Sequence, residues 1–201
     1  LNMIAGLEKQ DSGSIYIDDV MVDHIAPNKR NIAMVFQSIS LYPHLSVREN
    51  IAFPLKLEKV NADLIEEKVK EVSSLLKIGE LLKRKPYELS GGQRQRICVA
   101  RALSTEPEFV VCDECVSAMD VSVQAQVLNL LHELQISRNL TYLFISHDLC
   151  VVRHMADDIA VMRSGKIEEF GKVDEICLRP KTSYTQELMD SIPRTSKSGI
   201  F

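Results

Sequence analysis

The chain has 201 residues, 45% hydrophobic and 26% charged, enough to bury a sizeable core in one domain or two closely packed lobes. Its 28 acidic residues against 24 basic ones leave a net charge of −4, which argues against a nucleic-acid binder held by a basic face. Composition excludes a disordered, collagen-like or disulfide-stapled chain, and no apolar run reaches the roughly 20 residues of a bilayer span, so membrane attachment is expected through a partner.

The first residues, Leu1, Met3, Ile4 and Leu7, read as the end of an apolar helix, closed by Gly6 and the turn signal Asp11-Ser12-Gly13. Residues 14–17 predict a short strand, and the apolar run 31–36 a strand buried on both faces. Ser46-Val47-Arg48-Glu49 is a capping box opening a helix that Pro54 is expected to limit. Asn61 caps a second helix with Leu64, Ile65, Val69, Val72 and Leu76 on one side, and a third starts after Ser90 and runs to Leu103. Residues 109–112 predict a buried strand, followed by a long helix capped by Asp120, a strand over 141–145 and a helix over 149–155. Strands at 159–162 and 167–170 flank Arg163-Ser164-Gly165-Lys166, a hairpin signal. Strands alternating with helices predict an α/β sheet with a helical insert.

Five scattered cysteines suggest a reducing compartment. Cys112 and Cys115 form a C-x-x-C, but without a second pair or a thioredoxin-like context they read as small core residues rather than a zinc or redox site.

Four features carry chemistry. In Leu89-Ser90-Gly91-Gly92-Gln93, Ser90 caps a helix whose first turn is stripped of side chains. Its exposed N–H groups and helix dipole suit a phosphate, the alternative being an ordinary capped helix that tolerates two destabilising glycines. The run 109–112 delivers Asp113 and Glu114 to the C-terminal end of a strand, the edge where open α/β sheets bind ligands. Asp113 suits Mg²⁺, directly or through water, and Glu114 suits the polarising of an attacking water; an acidic strand end is the alternative. His147 follows another apolar strand and suits a γ-phosphate, although such a histidine is more often structural. Gln37, just past the strand at 31–36, suits Mg²⁺ or water.

In this order, Gln37, residues 89–96, Asp113-Glu114, Ser117-Ala118-Met119-Asp120 and His147 resemble the ATP-binding subunit of ABC transporters over nearly the whole chain. The resemblance implies a P-loop NTPase (RecA-like) fold, a mostly parallel α/β core with an inserted helical subdomain. Residues 1–40 and 104–175 would form the core, 41–103 the helical signature subdomain and 176–201 a short C-terminal tail. It implies ATP and Mg²⁺ as ligands. Gln37 would be the Q-loop glutamine sensing Mg²⁺, and Ser90, Gly91, Gly92 and Gln93 the signature that clamps ATP bound to the opposite subunit. Asp113 would be the Walker B aspartate holding the metal and Glu114 the catalytic carboxylate. Asp120 would close the D-loop, and His147 would be the switch histidine. Partners would be membrane permease subunits and a second cassette packed head to tail, without nucleic acid, on the cytoplasmic face of the membrane. Cys115 and Val116 stand where the family more often has Pro and Thr, with little chemical consequence expected.

The family's G-x-x-x-x-G-K-[ST] motif is missing, since no two of the eight glycines sit five apart. Residues 1–7 resemble the stretch after that motif, and the chain therefore reads as an N-terminally truncated cassette, with little ATP binding expected of it alone. Residues 41–51 resemble importers of sugars and related solutes, while Val121-Ser122-Val123-Gln124 and Ser183-Tyr184-Thr185-Gln186 resemble peptide and nickel importers. Peptides are the expected cargo, with a sugar importer or an inactive cassette as alternatives. A soluble ABC-type ATPase acting on DNA or ribosomes is disfavoured, because no sustained heptads appear and only part of one cassette is present.

Overall fold

The computed structural model describes residues 1–37, 40–117 and 119–191. It divides into two compact units, Leu1–Ile145 and Ser146–Phe201. Residues 146–175, expected with the core, therefore belong to the second unit together with the described part of the expected tail, and residues 192–201 of that tail lie outside the described residues.

The first unit opens with α1 (Asn2–Ala5), then a hairpin of β1 (Tyr16–Ile17) and β2 (Val20–Met21). The expected strand at 14–17 is thus shorter and has a partner that the sequence pattern does not signal. Its turn residues Asp18 and Asp19 both take positive φ, 47° and 62°, the backbone of a type I′ turn, usually written Asn-Gly or Asp-Gly. β3 (Ile32–Val35) follows, then α2 (Val47–Leu57), α3 (Ala62–Leu75) and α4 (Gly91–Leu103). β4 (Phe109–Asp113), α5 (Val121–Arg138) and β5 (Thr141–Ile145) complete the unit.

β3, β4 and β5 form a parallel sheet in that order, in register from Ile32↔Phe109 and Phe109↔Thr141 onward. Parallel register brings the C-terminal ends of all three strands to one edge, where the sequence places Gln37, Asp113 and Glu114. β3 is less enclosed than its apolar run predicts. Ala33 and Val35 are buried while Ile32 and Met34 are half-buried, because α4 covers one face of the strand.

Pro54 does not end α2 but sits inside it. A proline at this depth removes one helical hydrogen bond, a cost of about 3 kcal/mol. Ile51, Ala52 and Leu55, each at most 1% exposed, offset that cost by burial in the helical layer, about 1.5–3 kcal/mol for each large side chain. The predicted caps form: Ser46 Oγ accepts from Glu49 N–H while Glu49 Oε2 accepts from Ser46 N–H, and Asn61, Ser90 and Asp120 cap α3, α4 and α5.

The second unit consists of α6 (Leu149–Met155), an antiparallel hairpin of β6 (Asp158–Arg163) and β7 (Lys166–Lys172), α7 (Val173–Leu178) and α8 (Ser183–Asp190). Ser164 (φ 49°) and Gly165 (φ 78°) make the predicted turn. Ile159, Val161 and Ile176 form the core, with Tyr184, Leu188 and Met189 packed on it, so the described part of the expected tail folds against the hairpin. Glu169, buried on β7, accepts from the Lys181 and Thr182 N–H groups at 2.9 and 3.2 Å and so ties the start of α8 to the hairpin. Burial alone would raise its pKa; the Lys181 N–H, with Thr185 and Thr182, outweighs burial and holds the carboxyl below its usual range. A carboxylate depressed on folding contributes stability above its unfolded pKa and loses it as pH falls through the folded value. Acidification is therefore expected to lower the denaturation midpoint of this unit, and Glu169→Gln to be less stable at neutral pH and less sensitive to acid, as read by urea titration with amide exchange on β6 and β7.

Candidate functional site

β3 and β4 are paired neighbours, and Gln37, two residues beyond β3, meets Glu114, the first beyond β4. Gln37 Nε2 donates to Glu114 Oε2 at 2.7 Å and to Ser117 Oγ at 3.4 Å. An amide that donates through its nitrogen keeps its carbonyl oxygen as a hard acceptor. Glu114 follows Asp113, the last residue of β4, in a left-handed conformation with φ 45°. Three bonds hold that sparsely populated backbone: Glu114 N–H donates to Ile145 O at 3.0 Å, and Glu114 O accepts from Ser117 N–H at 3.1 Å and from Ser117 Oγ at 3.0 Å. Side chains at such positions are aimed by the fold, not by their own preference. Ala118, between Ser117 and Asp120 in the expected D-loop, lies outside the described residues.

Beneath this turn Cys112 and Cys115 are buried free thiols, 0% and 2% exposed. Donation of the Cys112 S–H to Cys115, with burial, pushes the Cys112 thiol well up, which suits the core reading given to them from sequence.

The donor chemistry fits a magnesium ion shared with a phosphate chain. Asp113, Glu114, Gln37 and Ser117 offer only hard oxygens, the ligands Mg²⁺ takes. Among the described residues no group of three or more His, Cys, Asp or Glu side chains could hold a metal without other ligands. Mg²⁺ on a nucleotide needs only one or two carboxylates, because phosphates and waters fill the remaining positions.

Ser90 and Gln93 close a full capping box at α4, with Ser90 N–H donating to Gln93 Oε1 at 3.0 Å and Gln93 N–H to Ser90 Oγ at 3.3 Å. Gln93 thus serves the cap with its side chain. Gly91 is exposed with nothing within 4 Å of where a Cβ would stand, whereas the Cβ direction of Gly92 is filled by Val123. Asp120 is occupied as the cap of α5, accepting from Val123 N–H at 3.0 Å. His147 belongs to the second unit, exposed, one residue before Asp148, which caps α6. The structure therefore joins Gln37 directly to Glu114 beside Asp113, and sets Ser90–Gln93 at the start of α4.

Sequence reading missed Asn50. It is fully buried; its Oδ1 accepts from Tyr42 N–H at 2.8 Å, and its Nδ2 donates to the carbonyls of Tyr42, Leu45 and Ser46 at 3.0–3.2 Å. It shapes the loop over residues 42–46. There the Tyr42 ring packs on Phe53 with centroids 4.5 Å apart yet stays 37% exposed, so it both covers the helical layer and faces outward. Tyr42, Phe53, Met34, Phe36, Leu57 and Arg101 line a groove of about 1010 Å³.

Comparison with known proteins adds to this geometry. The family profile described as ABC transporter matches residues 1–117. The trehalose/maltose import ATP-binding protein MalK of Thermococcus litoralis is 42% identical over 199 residues, covering 96% of this chain and 54% of that protein. The spermidine/putrescine import ATP-binding protein PotA of Vibrio cholerae is 41% identical, covering 96% of this chain and 51% of its own. The sn-glycerol-3-phosphate import ATP-binding protein UgpC of Ruegeria pomeroyi is 37% identical, covering 99% and 58%. The chain spans about half the length of these curated relatives. Among solved structures, a dimeric post-hydrolysis state of the ATP-binding cassette MJ0796 bound to ADP and Pi aligns with a TM-score of 0.75 and 27% identity, over 86% of this chain and 78% of that one.

Proposed function

We propose, from the premise that this chain belongs to the ABC transporter family, that it is the ATP-binding and ATP-hydrolysing part of an importer, coupling hydrolysis to solute uptake through membrane permeases. The observation that carries the reading is the direct bond from Gln37 to Glu114 at the shared end of two parallel strands, beside Asp113. Asp113 and Gln37 would hold the Mg²⁺ of bound ATP, and that ion would neutralise charge on the phosphates. Glu114 accepts a proton at its carboxylate from the attacking water, and Ser117 and Gln37 keep that carboxylate aimed. Ser90, Gly91, Gly92 and Gln93 form the turn that meets the nucleotide of a second cassette packed head to tail, Gly91 and Gly92 presenting their N–H groups while Ser90 and Gln93 hold the cap, and Asp120 and His147 act across that junction and on the γ-phosphate. Residues 41–103 serve as the helical signature subdomain.

The expected leaning to peptides gives way. The relatives above are named for sugars, polyamines and glycerol phosphate, so a small organic solute of the sugar-importer type is the better-supported cargo. No helix among the described residues is long and apolar enough to cross a membrane, and attachment through permeases at the cytoplasmic face is the arrangement we propose.

Permease contact falls on the groove beside Tyr42. Leu45 is half-buried, so its replacement would test packing as much as docking; Leu57, 69% exposed on the same groove, is the cleaner probe. Tyr42→Ala with Leu57→Asp is expected to cut solute uptake by a reconstituted transporter at least tenfold while ATP binding is retained. Unchanged uptake would refute this docking surface. Hydrolysis itself is tested in the chain joined at Leu1 to an ABC segment carrying the G-x-x-x-x-G-K-[ST] loop, where Mg·ATP turnover is expected.

A further inference from the structure

The two glycines of Ser90-Gly91-Gly92-Gln93 stand in different surroundings. A Cβ on Gly91 would meet nothing within 4 Å, whereas a Cβ on Gly92 would stand 2.4 Å from Val123 Cγ1. Non-bonded carbons do not approach so closely, and Val123 cannot easily retreat. Its N–H is held by Asp120 Oδ1 at 3.0 Å, and a β-branched side chain in a helix has little rotamer freedom. Farther along the same two helices Arg96 Nη2 donates to Gln126 Oε1 at 3.0 Å, so α4 and α5 are joined beyond this point as well. Val123 is half-buried, and only its Cγ1 is too close; its Cβ and Cγ2 lie 3.6 Å from the same point, an ordinary contact.

We propose that Gly92 and Val123 form a knuckle that fixes where the signature turn stands on α5, so that of the two glycines only Gly91 keeps its side-chain direction open. Val123 is then a positioning residue for the turn, and Gly92 is required by a contact inside this chain. The inference rests on the reading of residues 90–93 as the phosphate-facing turn for its functional meaning, but the contact is tested without nucleotide or hydrolysis.

The sign of one substitution decides it. In an exposed helical turn, Gly→Ala stabilises by removing backbone freedom from the unfolded chain. Gly92→Ala in the 201-residue chain is expected instead to lower the Tm by roughly 4 °C or more, the scale of an overpacked contact. In a Val123→Ala background the same substitution is expected to raise the Tm or leave it unchanged. Gly91→Ala is expected not to lower it in either background. Should Gly92→Ala alone fail to fold, the failure itself counts with the large loss, and the double variant is compared with Val123→Ala alone. The positioning role has its own readout in the amide resonances of Gly91 and Gly92. Val123→Ala is expected to move them, while Leu131→Ala, from the buried middle of α5, is expected to leave them in place. An equal Tm loss from Gly92→Ala in both backgrounds, or amide resonances indifferent to Val123→Ala, would overturn the proposal. Absence of ATPase activity in the joined protein would instead count against the functional reading and leave this contact standing.

Discussion

Glu114→Gln in the joined, P-loop-supplied chain is expected to reduce Mg·ATP turnover by about 10²- to 10⁴-fold, the usual contribution of a positioned general base. The amide keeps the shape of the carboxylate but has no negative charge to draw a proton from water. Gln37 Nε2, which now donates to Glu114 Oε2 at 2.7 Å, still finds an acceptor if the new amide presents its oxygen, so the strand ends stay joined. ATP binding should therefore survive, and a slow-hydrolysing cassette should accumulate in the nucleotide-bound dimer. Asp113→Asn should behave differently, weakening the Mg²⁺ dependence of binding before it affects the chemical step. Filter assays of turnover beside equilibrium binding at varied Mg²⁺ separate the two. Wild-type turnover in Glu114→Gln would show that another group takes the proton.

The largest stability effect is expected at Asn50. Replacement by Ala strands the Tyr42 N–H and the Leu45 carbonyl, both now satisfied by one fully buried amide, while the Tyr42 carbonyl keeps its bond from Leu45 N–H. Each unsatisfied buried group costs about 1–3 kcal/mol, so a loss of about 2 kcal/mol or more is expected in chemical denaturation. Asn50→Asp keeps the acceptor for Tyr42 N–H but removes both donors, and should recover only part of that loss. Because the same loop carries Tyr42 to the groove, both variants should also weaken permease docking. A loss below about 1 kcal/mol for Asn50→Ala would mean that water replaces the amide.

The features legible in the sequence are those whose determinants lie close together along the chain. Ser46 with Glu49, Ser90 with Gln93 and Asp120 with Val123 each settle a helix start within three residues, and Ser164-Gly165 settles a hairpin. The apolar run at β4 marks a buried parallel strand, and that at β5 a half-buried one, for the same reason. What escaped depends on distant partners. Pro54 is tolerated because α2 is clamped by burial on other elements. Arg30 is buried and donates to the Met3 and Ile4 carbonyls, 27 and 26 residues away. The bond from Gln37 to Glu114 spans 77 residues, and only the order of motifs hinted that they meet. Gly92 resembled half of a phosphate loop, and its steric partner lies on another helix. The transported solute was least legible, because residues outside the ATP site carried the peptide-importer likeness while whole-chain similarity runs to importers named for other solutes.

The central proposal is that Gln37, Asp113 and Glu114 form the water-activating and metal-holding end of an ABC ATPase site, and that the absence of a G-x-x-x-x-G-K-[ST] loop from these 201 residues leaves them weak in binding the triphosphate. The most direct test is Mg·ATP turnover and fluorescent-nucleotide affinity of the chain as it stands, measured beside the chain joined at Leu1 to a segment bearing that loop. The account predicts background turnover and weak binding for the first, and turnover that depends on Glu114 for the second. Micromolar affinity with turnover by the chain alone, or a joined protein that binds ATP and does not hydrolyse it, would contradict it.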